Sequence, residues 1–354
     1  MSTLRTPRAL LLFLLFFSPC NAAHPQEPSA PYPAPPGEPI RLSVNVVTIG
    51  TVVTDERGKF VEGLTRENFH IFDNGVEQPL IFFALDRPTH VLLLIEAGPA
   101  VYLLQGGHLR AAYALLAGLS PADQVAVAKY AEGAEGVSDF SADKQLAANA
   151  LGHVNFNVGF GALNLSDGVG AVLEWLEKTP DKKTIVLLSS GVDTSAPAVT
   201  EGLLQRLRVS DVRVLAVSLS GELRSRPQKK RKKNAPGAAI SFAEEQFAAA
   251  DEGLRQLAAA TGGRAYFPTD EKSFAAAYAE IAQIVRHEYT LGFSPRNLDE
   301  EVHAVDVRVT DYPPDARGFS TAPVAKARVL RVDHRQAYVA KLNGPPPHGA
   351  DRLE

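Results

Sequence analysis

Val91-Leu-Leu-Leu-Ile-Glu-Ala-Gly-Pro-Ala100 is an unbroken apolar run that stops at a carboxylate, Glu96, and then turns through small residues. A strand with one wet face alternates apolar and polar side chains, whereas a strand covered on both faces does not. The stretch therefore reads as a central, doubly covered strand. Its carboxyl end is the place where open α/β sheets put their ligands.

The pattern repeats on the C-terminal side. Gln124–Tyr130, Thr184–Ser189, Val212–Leu219 and Ala265–Pro268 read as further strands, with Gly136–Phe140 as an antiparallel edge. Helical periodicity fills the gaps at 103–118, 143–152, 166–179, 200–209, 242–260 and 271–287. Strands alternating with helices predict a doubly wound, mostly parallel α/β sheet over residues 88–288.

Small β modules are expected at both ends of that domain. Residues 41–87 carry the β-branched run Leu42–Thr54. Phe69–Phe72 and Gln78–Phe83 then flank Asp73-Asn74-Gly75, a hairpin signal in which Asn-Gly supplies the positive φ angles. Residues 289–333 return to β pattern, and 334–354, with Gly344-Pro-Pro-Pro-His348, read as a disordered tail.

The beginning of the chain reads as an export signal. Arg5 and Arg8 precede the apolar run Ala9–Phe17, and small residues follow at Cys20-Asn-Ala-Ala23. The run is about half of the ~20 residues that a membrane span needs. The expectation is a signal peptide over 1–23, cleaved after Ala22 or Ala23, and a secreted or periplasmic protein without a transmembrane segment. Residues 24–40 form a proline-rich linker. Cys20 is the only cysteine, so the mature domain rests on packing rather than disulfides, lipidation at Cys20 being the alternative.

With 45% hydrophobic and 21% charged residues, the composition excludes a disordered or fibrous chain. The net charge of −4 gives no general attraction to nucleic acid. One segment breaks the pattern: Arg224, Arg226, Lys229, Lys230, Arg231, Lys232 and Lys233 place seven cations in ten positions. Export and the lack of interleaved aromatic residues argue against nucleic acid. The run reads as a solvated loop insertion over 221–240, with contact to an anionic envelope surface as the alternative.

No catalytic set can be assembled. The mature chain has no cysteine, no serine sits in a nucleophile elbow, and Gly159-x-Gly161 lacks the third glycine of a phosphate cradle. His70, His90, His108, His153 and His287 fall singly on unrelated elements. The reading is a non-enzymatic protein without a cofactor.

Four motifs carry a resemblance. They are Val52–Gly75 with the following Gln78-Pro79, Val186-Leu-Leu-Ser-Ser-Gly-Val-Asp-Thr194, Ala258-Ala-Ala-Thr-Gly-Gly-Arg-Ala-Tyr-Phe267, and His287-Glu-Tyr-Thr-Leu-Gly-Phe-Ser-Pro295. In that order they resemble the bacterial VWFA-related domain proteins, of the acidobacterial type, a family built on the von Willebrand factor type A (VWA) fold. The resemblance spans roughly residues 42–310. It implies a metal-ion-dependent adhesion site in which Asp-x-Ser-x-Ser, a threonine and an aspartate from three loops hold a divalent cation.

At those positions this sequence has Glu96, Gly98 and Ala100 in the first loop, Ala162 or Leu163 in the second, and Ser190 in the third. Glu96 and Ser190, with Asp193 as a further candidate, fall short of the roughly six oxygens that a hard cation needs. The site is expected to be degenerate and metal-free. Asp167 and Ser166 read as helix caps, and Asp193 as a cap or turn residue. The resemblance then implies an exported module that binds an unidentified protein partner through the loops after Ile95, around 159–166 and after Ser190. The alternative is adhesion through an incomplete Mg²⁺ shell of Glu96, Ser190, Asp193 and water.

Overall fold

The computed structural model describes residues 45–85, 87–98, 107–154, 161–180, 182–194, 199–225, 237–310 and 329–340. The expected signal peptide with Cys20, the proline-rich linker, Ala100, the basic residues from Arg226 to Lys233 and the tail beyond Ala340 lie outside them. The described residues belong to one compact unit.

The opening stretch is β5 (Thr89–Glu96), and all eight of its residues are buried. It pairs in parallel with β6 (Gln124–Tyr130) on one side and β8 (Lys182–Ser189) on the other. Beyond β8 come β9 (Val212–Ser218) and the two-residue β10 (Ala265–Tyr266), both parallel. Beyond β6 lies β7 (Ala134–Ser141), the antiparallel edge, so the order is β10-β9-β8-β5-β6-β7. The fold is the mixed α/β class read from the sequence, with a mostly parallel central sheet.

Helices cover both faces, which is why β5 has no polar alternation. Val91, Leu93 and Ile95 pack with α1 (Gly107–Gly118), α2 (Lys144–Gly152) and α7 (Glu271–Arg286). Leu92 and Leu94 pack with α3 (Leu165–Leu176), α4 (Glu201–Val209) and α6 (Gly237–Ala260). A short helix, α5 (Ser220–Ser225), follows β9. Helix thus enters both ends of the 221–240 stretch that the sequence presents as a loop. Among the described residues no helix is long and apolar enough to cross a membrane.

The two flanking β segments, far apart in sequence, are woven together. β1 (Val47–Asp55) pairs antiparallel with β11 (Tyr289–Phe293) and β13 (Leu330–His334), and β11 pairs with β4 (Phe82–Ala84). β2 (Phe69–Asp73) pairs with β3 (Val76–Gln78) and with β12 (Val302–Val309), which carries β14 (Ala337–Val339). The two sheets share a third core containing Ile49, Ile71, Leu291, Phe293 and Val307.

The Asn-Gly turn forms as expected, with Asn74 at φ 46° and Gly75 at φ 80°. The expected strand Gln78–Phe83 does not form as one piece. Pro79 has no amide hydrogen to give to a ladder, and its two sides join different sheets as β3 and β4. β14 also corrects the reading of 334–354 as a disordered tail. Tyr338 is buried, and Ala340 N donates to Glu301 O at 3.3 Å, so order persists to Ala340.

His303 on β12 ties this second sheet together. It is 5% exposed, with Nδ1 2.8 Å from Asp73 Oδ1 and Nε2 3.0 Å from Asp299 Oδ1. Tyr338 Oη lies 3.3 Å from Nδ1. Burial pulls the imidazole pKa down, but the bonds to Asp73 and Asp299 outweigh it and the net direction is upward. A raised histidine stabilises the fold fully below its unfolded pKa of about 6.5 and loses that contribution as pH rises through the folded value. Denaturant midpoints of wild type and His303→Gln, measured from pH 5 to 9, are expected to converge toward the alkaline end. A difference that is constant across the range would contradict the charged state.

Candidate functional site

β5 is followed by β6 on one side, while β8 lies on its other side, so the strand order reverses between β5 and β8. Such a reversal leaves a crevice at the carboxyl ends of the strands. Glu96 ends β5 there, Tyr130 ends β6 directly opposite it, and Ser189 ends β8. Register alone brings these three side chains together, and Ser190 follows one residue later.

Glu96 is 0% exposed, and four polar atoms lie within hydrogen-bond distance of its Oε2. Ser190 N donates at 2.7 Å and Ser190 Oγ at 2.8 Å. Ser189 Oγ lies at 3.1 Å and Tyr130 Oη at 3.3 Å, these two hydroxyls being 2.7 Å from each other. Gly191 N donates to Ser189 Oγ and Val192 N to Ser190 Oγ, which fixes the serine rotamers. Burial drives the Glu96 pKa upward, against the bonds from Ser190, Ser189 and Tyr130. Tyr130 is pushed up as well, first by burial and then by the charge of Glu96.

The other carboxylate oxygen, Oε1, has no hydrogen-bond partner. A Cβ placed on Gly98 would sit 2.9 and 3.0 Å from the Leu163 methyls and 3.2 Å from Oε1. Leu163 and Oε1 therefore both border the small space over Gly98. Leu163, one of the two residues at the expected threonine position, borders that space with its methyl groups, and Gly98 leaves room for it.

The loop carrying Leu163 is sewn to the loop after β8. Leu163 N donates to Thr194 Oγ1 at 2.8 Å, while Thr194 Oγ1 and N donate back to Leu163 O at 2.9 and 3.1 Å. Asp193 Oδ2 accepts from Leu165 N at 2.8 Å. Its carboxylate thus serves the first turn of α3, as a cap. The N-cap itself is Asn164, whose Oδ1 accepts from Asp167 N at 2.9 Å. This corrects the assignment of that role to Ser166 and Asp167. Ser166 Oγ instead accepts from Thr200 N, and Asp167 Oδ2 accepts from Asn164 Nδ2.

The divalent cation that the family resemblance implies does not fit this donor set. Oε2 is already filled by protein donors, Gly98 offers no side-chain oxygen, and Leu163 presents methyl groups. Displacing charge-assisted bonds costs roughly 1.5–3 kcal/mol each. Among the described residues no group of three or more histidine, cysteine, aspartate or glutamate side chains could hold a metal ion.

The Glu96–Ser190 pair has the distance of a base and a nucleophile. Ser190 is 1% exposed, however, and its Oγ donates to Glu96 Oε2, the oxygen that also accepts from Ser190 N.

A second polar cluster sits at the same end of the sheet. Asp251 on α6 is 5% exposed and accepts from Ser218 Oγ at 3.1 Å and from Ser220 Oγ. Arg224 Nη2 donates to its Oδ2 at 2.7 Å. Arg224 was grouped by sequence with the basic run, but its charge is engaged inward, on this aspartate. Tyr130 and Ser189 were not singled out by sequence. The available signal was Gly168: a Cβ there would lie 2.8 Å from Tyr130 Cβ, so a glycine inside α3 marks the space that the ring occupies.

No family model and no curated protein matches this sequence. Among solved structures it is similar to a von Willebrand factor type A protein from Catenulispora acidiphila, at 14% identity and TM-score 0.42, covering 76% of this chain and 72% of that one. It is similar to BatB, a conserved hypothetical protein from Bacteroides thetaiotaomicron, at 13% identity and TM-score 0.40, covering 55% of this chain and 98% of that one. An aerotolerance-related membrane protein from Bacteroides fragilis gives 13% identity and TM-score 0.40, over 56% of this chain and 98% of that one. The fold assignment stands on the strand order itself.

Proposed function

We propose that the chain is an exported, non-enzymatic module that binds a protein partner at the carboxyl end of its parallel sheet, without a bound cation. The observation that carries the reading is the state of Glu96. Its Oε2 is held by Ser190, Ser189 and Tyr130, and its other oxygen and the Leu163 methyls border the same small space over Gly98. Protein hydroxyls take over the task of holding the carboxylate at the sheet end. The loops above it are tied by Thr194 and Asp193 and present a preformed surface, which lowers the ordering cost of binding.

Contact at such a surface rests on shape and on apolar or hydrogen-bonded packing. Ala162 is exposed, next to Leu163 in the loop that Thr194 ties down. Immobilised protein is expected to retain the same envelope proteins in the presence and absence of a chelator, and Ala162→Arg is expected to reduce capture at least tenfold with the fold intact. Capture lost on chelation would overturn the metal-free reading. Capture unaffected by Ala162→Arg would move the contact surface elsewhere.

A further inference from the structure

β7 forms one edge of the central sheet. β6 pairs with its inner side, and among the described residues no strand pairs with its outer side. Such an edge offers backbone N–H and C=O groups to an added extended segment. None of its eight residues is buried. A cleft of about 520 Å³ opens beside it, against α2, with Val137, Leu146 and Ala150 in its lining. Leu146 is 51% exposed at this cleft, which has room for one apolar side chain of an added strand.

The charge along this edge is negative. Glu132, Glu135 and Asp139 are all exposed, on β7 and the turn before it. Lys129 answers Glu135 at 3.1 Å. Asp143, the N-cap of α2, is balanced by the adjoining Lys144. The end of α3, which meets Phe140 through Trp175, carries Glu177 and Lys178 and cancels likewise. Glu132 and Asp139 are left, without an ion-pair partner among the described residues. Two copies of this edge would set acid against acid, and the register shifts of β7 against β6 further disfavour self-pairing. The complementary occupant is a different strand, one that carries cations.

We propose that β7 accepts an extended cationic segment of a partner protein as an added strand. One apolar side chain of that segment fills the cleft beside Leu146, and lysines or arginines on either side of it lie toward Asp139 and toward Glu132. The proposal needs neither Glu96 nor the loops above it, so the two readings fail separately.

The test is fluorescence anisotropy of a labelled peptide, Thr-Lys-Val-Leu-Val-Lys-Thr, titrated with the full chain. Saturable binding with a Kd of about 0.1 mM is expected. The peptide with both lysines replaced by glutamate is expected to bind at least tenfold more weakly. The cationic peptide N-methylated at its three central residues is expected not to bind measurably, because its backbone cannot join a ladder. Asp139→Lys keeps the fold, since the side chain is exposed, and is expected to weaken the cationic peptide at least fivefold while strengthening the acidic one. The proposal is overturned if the cationic peptide does not saturate, if the acidic or the N-methylated peptide binds equally well, or if Asp139→Lys leaves both affinities unchanged.

Discussion

Replacing Glu288 by alanine is expected to lower stability by about 3–5 kcal/mol, because it strands two buried cations. Glu288 is 4% exposed and immediately precedes β11, the strand that leads back from the α/β domain into the antiparallel sheets. Its Oε1 accepts from Arg213 Nε at 3.1 Å, and Lys182 Nζ lies 3.2 Å from Oε2. The same cations fix backbone: Arg213 donates to Gly50 O and Gly262 O, and Lys182 to Val285 O. One carboxylate thus holds β8, β9, β1 and the end of α7 together.

Gly50 supports the same arrangement by having no side chain, since a Cβ there would lie 1.9 Å from Glu288 Oε1. Gly50→Ala is expected to cost about 2–3 kcal/mol, because the surrounding ion pairs leave the carboxylate nowhere to move. Burial alone would raise the Glu288 pKa, but the charges of Arg213 and Lys182 outweigh it and the net direction is down. Its contribution is therefore present above the unfolded carboxylate pKa and lost as pH falls through the folded one. Urea midpoints at neutral pH measure both variants. A loss below about 1 kcal/mol in Glu288→Ala would contradict the buried triad.

The second large effect concerns Glu96 and has the opposite pH sign. Glu96→Ala removes the acceptor for Ser190 N, Ser190 Oγ, Ser189 Oγ and Tyr130 Oη. Since a stranded buried donor costs about 1–3 kcal/mol and the hydroxyls can turn to other partners, a net loss of about 3 kcal/mol is expected. Glu96→Gln keeps an acceptor oxygen and is expected to fold normally.

Burial raises the Glu96 pKa above its ordinary 4.5. A raised carboxyl stabilises fully below the unfolded pKa, and the contribution declines as pH rises through the folded value. Wild type is therefore expected to lose stability relative to Glu96→Gln from about pH 4.5 upward. Denaturant unfolding of the pair at half-unit steps between pH 4 and 8 reads this directly. A wild type that gains on the variant with rising pH would show a carboxylate stabilised as an anion, as a cation would make it.

Much of the α/β domain was legible because local patterns report burial. The uniform apolar run of β5 announced two covered faces, and Asn74-Gly75 announced a hairpin. Long-range pairing leaves no such mark. Nothing local in Val47–Asp55 shows that it lies between β11 and β13, more than two hundred residues away. Nor does anything local at Lys182, Arg213 or Glu288 show that the fold brings the three into one buried triad.

The site divides in the same way. Glu96, Gly98, Leu163 and Ser190 were visible as departures from a family pattern. The other residues that hold Glu96, Tyr130 and Ser189, come together through strand register. Ala162 or Leu163 reads as standing in place of a threonine; Leu163 is the buried one of the two and borders the space over Gly98.

The account rests on Glu96 being held by protein donors instead of an ion. The most direct test is a calorimetric titration of the chain with Mg²⁺ and Mn²⁺ at neutral pH. The prediction is no saturable heat into the millimolar range. Micromolar binding that disappears in Glu96→Ala would contradict it.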